Sequence, residues 1–262
     1  MKLSVLMPAY NAEQTIASAL RSLLRQRDAA EMEILVADDG SSDRTVEIVS
    51  DLAREAPEIR LIARPHAGIS ATRNACLAAM PADTDFVAFL DADDLSPAGR
   101  FARDIAKFEV RPELEMLYCA TRFFEIEDGE ALAPSPEGRT LDGRPIQLGA
   151  GLFRAGLIRR LGPFDETLIQ SEDTEFLLRV FEQEVVHVLD DDIGVYYRRN
   201  HGSVTDDVEQ VRREIMRAML RAANRRRKIG GVQLPKGFLT DTHVAELERW
   251  KNAPLHRSHS DV

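Results

Sequence analysis

The 262-residue sequence has only two cysteines and no apolar stretch that approaches 18 residues. Cys76 and Cys119 belong to no C-x-x-C pair or His/Cys cluster, which disfavours a zinc site or a disulfide framework and suits a reducing compartment. The short apolar stretches predict no membrane-spanning helix. The first residues also lack the apolar core of a signal peptide. We therefore expect a cytoplasmic protein.

Two common phosphate-binding signatures are also missing. No G-x-G-x-x-G follows the first predicted strand and no G-x-x-x-x-G-K-[ST] occurs, so the dinucleotide-binding and P-loop interpretations lack their motifs. Positive charge is not in excess, because 34 Lys and Arg residues face 44 Asp and Glu residues and the formal net charge is −10. This balance argues against a nucleic-acid partner.

The first 95 residues alternate between strand and helix patterns. Short apolar runs predict strands at 3–7, 33–37, 59–63 and 86–90. The stretches between these runs repeat apolar residues with helical spacing. Such an alternation predicts an α/β fold with a mainly parallel sheet and right-handed crossovers.

The pattern becomes less regular after residue 95. Strands are predicted at 115–126, 185–189 and 195–198, and helices at 97–110, at 152–161, from 171, and at 207–229. Residues 127–147 are rich in Gly, Pro and acidic residues, which predicts a long mobile excursion. Because no repeat or linker is evident, we expect one domain over 1–205, followed by a C-terminal helix and tail over 206–262.

The strongest chemical signal is the acidic run Asp91-Ala92-Asp93-Asp94, directly after the fourth predicted strand. Three carboxylates in four positions repel each other when desolvated, so a cation is expected among them. A divalent metal with oxygen ligands is the natural candidate. Ligands of open α/β sheets bind at the carboxyl ends of strands. We therefore predict a metal–phosphate site at Asp91 and Asp93, with a solvated turn as the alternative.

Polar residues follow the first two predicted strands as well. Tyr10 and Asn11 come after Pro8, and an Asp-Asp-Gly-Ser motif occupies 38–41. These strand ends are expected at the same edge of the sheet as the acidic run. An Asp there can accept the N3–H of a uracil or the hydroxyls of a ribose, and Gly40 would let the backbone approach a ligand closely. A plain turn is the alternative for this motif.

The third strand leads into a helix that could hold an anion. Gly68 precedes the helix, whose N-terminus favours negative charge. Arg73 lies in its first turn, where a guanidinium could clamp a diphosphate. A solvated surface arginine is the alternative.

Together these motifs resemble those of family 2 nucleotide-sugar glycosyltransferases of the GT-A fold, over residues 3–205. The shared motifs, in chain order, are Pro8-x-Tyr10-Asn11, Asp38-Asp39-Gly40-Ser41, Gly68 with Arg73-Asn74, Asp91-x-Asp93, and Glu172-Asp173 with Leu177 and Arg179. The resemblance implies a Rossmann-like, mostly parallel sheet with helices on both faces. It also implies a nucleotide-binding half at 1–95 and an acceptor-side half at 96–205.

The resemblance implies a role for each candidate residue. Asp38 would read the nucleobase, with Asp39 nearby, and Asp91 would hold the ribose or support the metal. Asp93 would ligate Mn²⁺ or Mg²⁺ between two phosphates, and His201 would approach the metal or diphosphate from a closing loop. The other residues expected at the nucleotide sugar are Pro8, Tyr10, Asn11, Gly68, Arg73 and Ala92.

The acceptor side would carry the general base. By resemblance this base is Asp173, with Glu172 orienting the acceptor, and one base with direct displacement implies inversion at the anomeric carbon. A helix cap is the alternative role for this pair. The implied donor is a nucleoside-diphosphate sugar, with UDP expected first. The implied acceptor is a carbohydrate or lipid-linked hydroxyl in polysaccharide, glycolipid or cell-envelope glycan synthesis.

Two other functions are consistent with parts of the sequence. The acidic run also resembles the Asp-x-Asp motif of haloacid-dehalogenase-type phosphatases, in which Asp91 would be the nucleophile and Asp93 an acid/base. A non-catalytic nucleotide-sugar-binding module is the second alternative. The sequence leaves the role of Asp94 open between a helix cap and a contact to the acceptor.

The last predicted helix is basic and amphipathic. Its expected apolar stripe consists of Val208, Val211, Ile215, Met219 and Ala222. We expect this stripe to pack on the domain and the arginines to be solvated. Peripheral contact of 207–229 with the inner face of an anionic membrane is the alternative.

Overall fold

One mixed sheet runs through the computed structural model, which describes residues 1–125, 130–199 and 208–229. Within these residues the strands are β1 (Lys2–Ala9), β2 (Glu31–Asp38), β3 (Ile59–Ala63), β4 (Phe86–Phe89), β5 (Met116–Glu125), β6 (Thr140–Gly143), β7 (Gly151–Arg154) and β8 (His187–Arg199). The α-helices are α1 (Ile16–Leu24), α2 (Thr45–Glu55), α3 (Ile69–Ala79), α4 (Arg100–Val110), α5 (Ala155–Leu161), α6 (Glu172–Phe181) and α7 (Val208–Ile229). The sheet order is β3-β2-β1-β4-β7-β5-β6, and β8 pairs with β5.

The first four strands form the parallel half of the sheet. β1 pairs in parallel with both β2 and β4, and β2 pairs in parallel with β3. Apolar side chains such as Val5, Ile34 and Val87 are fully buried, as expected for strands that helices cover on both faces. The predicted α/β fold, a mostly parallel sheet with helices on both sides, is confirmed.

The second half differs from the sequence prediction at three strands. β7 lies antiparallel between β4 and β5, although 152–161 was predicted to be wholly helical. A short, continuous apolar run cannot be assigned to a strand or a helix from its periodicity alone, which explains this error. β6 pairs with β5 inside the predicted excursion, so that prediction was wrong for 140–143. The two late strands predicted separately are the single strand β8.

A cluster of phenylalanines lies beneath the edge where the acidic run ends. Phe164 and Phe176 stack with ring centroids 4.3 Å apart. Phe89 meets both of them, and Phe153, edge-on at about 6 Å. These rings come from β4, β7, α6 and the loop before α6. The parallel and antiparallel halves therefore share one hydrophobic core.

Helix α7 packs against α6 with a face that the sequence predicted only in part, and the side chains of Val208 and Val211 lie outside the described part of the chain. Ala218 and Ala222 are fully buried, and Glu214 is 4% exposed. Met219, expected in the inner stripe, is 41% exposed, so the expected stripe was wrong at this residue. Small side chains and ion pairs, rather than large apolar ones, make the contact. No helix in the described ranges is long and apolar enough to cross a bilayer.

Close packing at Gly194 fixes β8 against β5. A Cβ atom at Gly194 would lie 2.7 Å from the Cβ of Cys119 and 2.9 Å from the carbonyl oxygen of Ala150. The β5–β8 register shifts in the same region, between Tyr118 and Thr121. Glycine therefore lets β8 approach β5 before it continues towards the acidic run.

We expect Gly194→Ala to lower the free energy of unfolding by about 1–3 kcal/mol, because the added methyl group overpacks this contact. Urea denaturation measures the change. The matched control is Gly156→Ala in α5, where an added Cβ would meet nothing within 4 Å. That control should leave stability unchanged or raise it by up to about 1 kcal/mol. Equal effects of the two substitutions would contradict the tight contact.

Candidate active site

The carboxyl ends of β1, β2 and β4 meet at one edge of the sheet, as the sequence predicts. The β1–β2 register places Ala9 beside Asp38, and the β1–β4 register ends with Leu6 beside Phe89. Tyr10, Asp38 and the acidic run therefore begin from neighbouring strands. Pro8 is buried in β1, two residues beyond its last pairing with β4. A proline is tolerated there because no β4 partner needs its missing N–H.

The carboxylate of Asp38 is bound by its own loop. It is buried, and it accepts hydrogen bonds from the backbone N–H groups of Gly40 and Ser41 at 3.1 and 3.0 Å and from the Ser41 hydroxyl. Gly40 has a φ of +75°, and a Cβ there would lie 2.9 Å from the backbone nitrogen of His66. Gly40 was expected to let a ligand come close to the backbone. In the structure it lets the backbone of residues 64–66 pack against it instead. Asp38 therefore stabilises the loop at residues 38–41 through hydrogen bonds within that loop.

Asp39 organises the neighbouring loop in the same manner. Its buried carboxylate accepts the backbone N–H groups of Ala67 and Gly68, both at 2.9 Å. Burial opposes ionisation of Asp39, but these hydrogen bonds, with a further one from Thr72, hold its pKa below the usual range. Asp39 is therefore an anion that fixes the entry to α3 in place.

His66 and Tyr10 form an exposed aromatic pair beside these two loops. Their ring centroids are 4.7 Å apart, and the two residues are roughly half exposed. The Nδ1 atom of His66 lies 2.8 Å from a carboxylate oxygen of Asp39 and 3.2 Å from its carbonyl oxygen. Both neighbours are acceptors, so Nδ1 carries the proton. The exposed ring then presents Nε2 and a flat face to solvent.

Arg73 joins the two halves of the molecule. Its side chain is 5% exposed, donates to Asp91 at 2.8 Å, and pairs with the carboxylate of Glu172 at the start of α6. Its Nε is buried and has no hydrogen-bond partner among the described residues. Burial alone would lower the pKa of the guanidinium, but Asp91, Glu172 and Asp173 raise it above the usual value. The guanidinium of Arg73, which was expected to bind a diphosphate, is thus paired with two carboxylates of the protein.

Asp173 lies in the first turn of α6, next to this ion pair. It is half-buried, and its carboxylate accepts the backbone N–H of Thr174 at 2.6 Å. Desolvation, and then the neighbouring charge of Glu172, raise the pKa of Asp173 to about 7. Ser171 precedes it with a φ of +61° and makes no side-chain cap of the helix. A carboxyl group with this pKa can take up and release a proton near neutrality.

The four residues of the acidic run have different surroundings. Asp91 is 35% exposed and receives Arg73, Ala92 is buried, and Asp93 is exposed. Asp94 is buried and accepts the Gln147 side-chain amide at 2.8 Å and the backbone N–H of Arg198 at 3.0 Å. Asp94 does not cap α4, which begins at Arg100, and its contact with an acceptor stays a prediction. Its two hydrogen bonds connect the acidic run to β8 and to the turn before β7.

The donor set suits a hard divalent cation. Asp93 and one oxygen of Asp91 offer carboxylate oxygens at an accessible edge of the sheet, which Mg²⁺ and Mn²⁺ accept, with water and phosphate oxygens as further ligands. Among the described residues no three His, Cys, Asp or Glu side chains converge as a preformed metal cluster. His201, the other expected ligand, lies outside the described residues. The acidic run therefore fits a cation that a bound diphosphate helps to hold.

Several residues at the site gave no functional signal in the sequence. His66 is one of them, and Tyr197 on β8 is another. Tyr197 lies close to the acidic run, since burial and then the charges of Asp94, Asp93 and Asp91 raise its pKa. Asn74, which the sequence motifs did include, holds the loop before α6 by accepting the backbone N–H of Phe164 at 2.7 Å. The remaining expected residues, Asn11 and Gly68, shape loops: Asn11 accepts the N–H of Ser42, and Gly68 donates to Asp39.

The model of Glycosyl transferase family 2 matches residues 4–143. The chain belongs to this family, which confirms the resemblance seen in the sequence motifs. Family membership favours a glycosyltransferase over the haloacid-dehalogenase-type alternative. The match includes the acidic run and the loops held by Asp38 and Asp39, and it ends before Asp173.

Curated relatives are similar over most of the chain. EpsJ of Bacillus subtilis, an uncharacterized glycosyltransferase, is 30% identical over 221 residues, which cover 78% of this chain and 62% of EpsJ. WfgD of Escherichia coli is 29% identical over 191 residues, 71% of this chain and 72% of WfgD. It is named as a UDP-Glc:α-D-GlcNAc-diphosphoundecaprenol β-1,3-glucosyltransferase. The chain thus spans less than two thirds of the length of EpsJ.

Solved structures share the fold. The S. aureus TarS 1–349 complex with UDP-GlcNAc superposes with a TM-score of 0.68 at 21% identity, covering 90% of this chain and 68% of that one. The mannosyltransferase PcManGT from Pyrobaculum calidifontis, in complex with GDP-Man and Mn²⁺, gives 0.61 at 19% identity, covering 88% and 65%. These likenesses show that the chain has the same fold as both proteins.

We expect Arg73→Gln to lower the free energy of unfolding by about 3–5 kcal/mol, because it leaves Asp91 and Glu172 without their buried cation. Urea denaturation at neutral pH measures the loss. Arg54→Gln is the matched control, since it removes an exposed ion pair of 2.8 Å to Asp51 and should cost at most about 1 kcal/mol. A loss at Arg73 as small as the control's would show that the pair contributes little.

Proposed function

We propose that this protein is a metal-dependent inverting glycosyltransferase that transfers a sugar from a nucleoside-diphosphate sugar to an acceptor hydroxyl. The observation that carries the proposal is the Asp173 carboxyl group. Its pKa is raised to about 7, and the Glu172–Arg73–Asp91 contacts connect it to the acidic run. A proton acceptor thus stands beside a candidate cation site, at the strand ends where α/β folds bind ligands.

The donor side would bind the nucleotide. The Tyr10–His66 pair offers an aromatic surface for a nucleobase, and the loops shaped by Asp38 and Asp39 offer backbone groups around it. A divalent cation held by Asp93, with Asp91 beside it, would neutralise the charge that develops on the departing diphosphate. A UDP-sugar is the donor we propose. The TarS complex with UDP-GlcNAc, a protein of the same fold, supports this choice.

The acceptor side would carry out the proton transfer. Asp173 takes the proton of the acceptor hydroxyl while the hydroxyl oxygen bonds to the anomeric carbon of the donor sugar. The bond between that carbon and the diphosphate oxygen breaks at the same time. Attack opposite the leaving group inverts the configuration. Glu172 is buried against Arg73, so we assign it to the placement of Asp173 and of the acceptor around it. The acceptor proposed is a carbohydrate or lipid-linked hydroxyl used in glycan synthesis, a choice that the activity named for WfgD supports.

Two substitutions separate donor binding from transfer. Asp173→Asn should retain donor binding but lower transfer by about 10²–10⁴-fold, because the general base is lost. Asp93→Ala should abolish Mn²⁺-dependent binding of the nucleoside diphosphate, since it removes the exposed carboxylate of the metal site. Calorimetry with UDP, with and without Mn²⁺, measures binding, and release of UDP from a panel of UDP-sugars with acceptors measures transfer.

Each result can contradict part of the proposal. Full transfer by Asp173→Asn would remove Asp173 as the base, and unchanged metal-dependent binding by Asp93→Ala would remove Asp93 as a ligand. Donor binding by the wild type without turnover on any acceptor would favour the non-catalytic binding module instead. Glu166→Gln, an exposed carboxylate in the loop before α6, serves as the control and should change neither measurement.

The pH dependence of transfer tests the same base. Because Asp173 must be ionised to accept a proton, kcat/KM should fall roughly tenfold per pH unit below about 7. Glu172→Gln should move this acid limb to lower pH, since the Glu172 charge is one cause of the raised pKa of Asp173. A limb that stays in place or moves to higher pH in this variant would show that another group titrates.

A further inference from the structure

Helix α7 directs apolar side chains away from the protein. Met216, Met219 and Leu220 are 58%, 41% and 57% exposed. Their i, i+3 and i+4 spacing places them side by side on one face of the helix. Isolated exposed apolar residues are ordinary, whereas an adjacent group of them opposite the packed face marks an interaction surface.

Exposed cations surround this group. Arg212, Arg213 and Arg227 project within about 60° of Met216 around the helix axis, and all three are exposed. We define the outer face of α7 as these three arginines together with Met216, Met219 and Leu220. The one carboxylate of α7 on this side of the helix is that of Glu209, which pairs with Arg212 at 3.3 Å near the start of the helix.

The opposite face of α7 is fixed by ion pairs. Arg221 bonds Asp165 and Thr167 in the loop before α6, and Arg225 bonds Glu175 and Glu182 on α6. These contacts neutralise the inward cations and set the rotation of the helix. The outer face therefore cannot turn inward without breaking these part-buried ion pairs, and its exposure is a property of the fold.

The charge of the outer face is opposite to that of the whole chain. Helix α7 carries eight Lys and Arg residues and two Glu residues, while the chain as a whole has a net charge of −10. An apolar centre within a cationic rim fits a surface that is anionic at its headgroups and apolar just beneath them. Methionine and leucine side chains can enter the acyl boundary while guanidinium groups remain at the phosphates.

We propose that the outer face of α7 docks the protein on an anionic lipid surface. A second copy of the chain fits less well, because a symmetric contact would set arginine against arginine. Residues 230–262 carry four Lys or Arg and four Asp or Glu residues, so they offer no net charge complementary to the face.

The docking has a consequence for the acceptor. The inner face of α7 holds the loop at 165–167 and the helix that begins with Glu172 and Asp173. A docked α7 would therefore bring the acceptor side of the site near the lipid, which suits an acceptor carried on a lipid. This consequence rests on the proposed function, whereas the docking itself does not.

The test is co-sedimentation of the full chain with vesicles of phosphatidylcholine alone or mixed with phosphatidylglycerol. We expect binding to the mixed vesicles only, weakening as salt is added. The triple variant Met216→Ser, Met219→Ser, Leu220→Ser should bind at least tenfold more weakly, and so should Arg213→Glu with Arg227→Glu. The matched controls are Val110→Ser and Arg54→Glu, which change exposed residues on other helices and should bind as the wild type does.

Three results would overturn the proposal. The first is equal vesicle binding by the variants and the controls. The second is self-association without lipid that the triple variant loses, which would make the face an interface between copies. The third is a thermal midpoint lowered by several degrees in the triple variant without lipid, which would show that the protein's own chain covers the face.

An assay with a water-soluble acceptor and no vesicles separates this proposal from the proposed function. The triple variant should transfer sugar at the wild-type rate there, since none of its three residues belongs to the site. A wild type that docks on vesicles but transfers no sugar would contradict the proposed function and leave the docking surface in place.

Discussion

The buried guanidinium of Arg73 is the interaction on which the site depends. It reaches Asp91 at the end of β4 and Glu172 at the start of α6, residues that belong to different halves of the chain. A buried cation between two carboxylates is tolerated only when its geometry is satisfied. The end of β4 and the start of α6 must therefore form together, with the phenylalanine cluster beneath them as their common support.

This arrangement gives the carboxylates at the sheet edge separate tasks. Asp38, Asp39 and Asp94 are buried and occupied by loops and strands of the protein, so they are part of its framework. Asp93 is exposed and Asp173 half-buried, and these are the two acids to which the proposed mechanism assigns a cation and a proton. Differences in burial and hydrogen bonding, rather than residue type, decide which acid can do chemistry.

The sequence predicted the parallel half of the fold because each of its strands is a local apolar run. It failed at β6 and β7, whose identity depends on pairing with β5, and at Met219 of α7, because the packed face of this helix rests partly on ion pairs with distant residues. The positions of the acids at the sheet edge could be inferred from strand ends. Their partners could not, since Arg73 and Glu172 lie 99 residues apart and no local pattern joins them.

The loops held by Asp38 and Asp39 bear on how donor preference could be altered. Their carboxylates accept the backbone N–H groups of Gly40, Ser41, Ala67 and Gly68, so main-chain atoms set the contour of the surface beside Tyr10 and His66. Replacing either aspartate would remove the hydrogen bonds that hold its loop, so it would disturb the loop rather than only the choice of donor. The exposed rings of Tyr10 and His66 are the positions where an engineer could vary the chemistry and leave that contour intact.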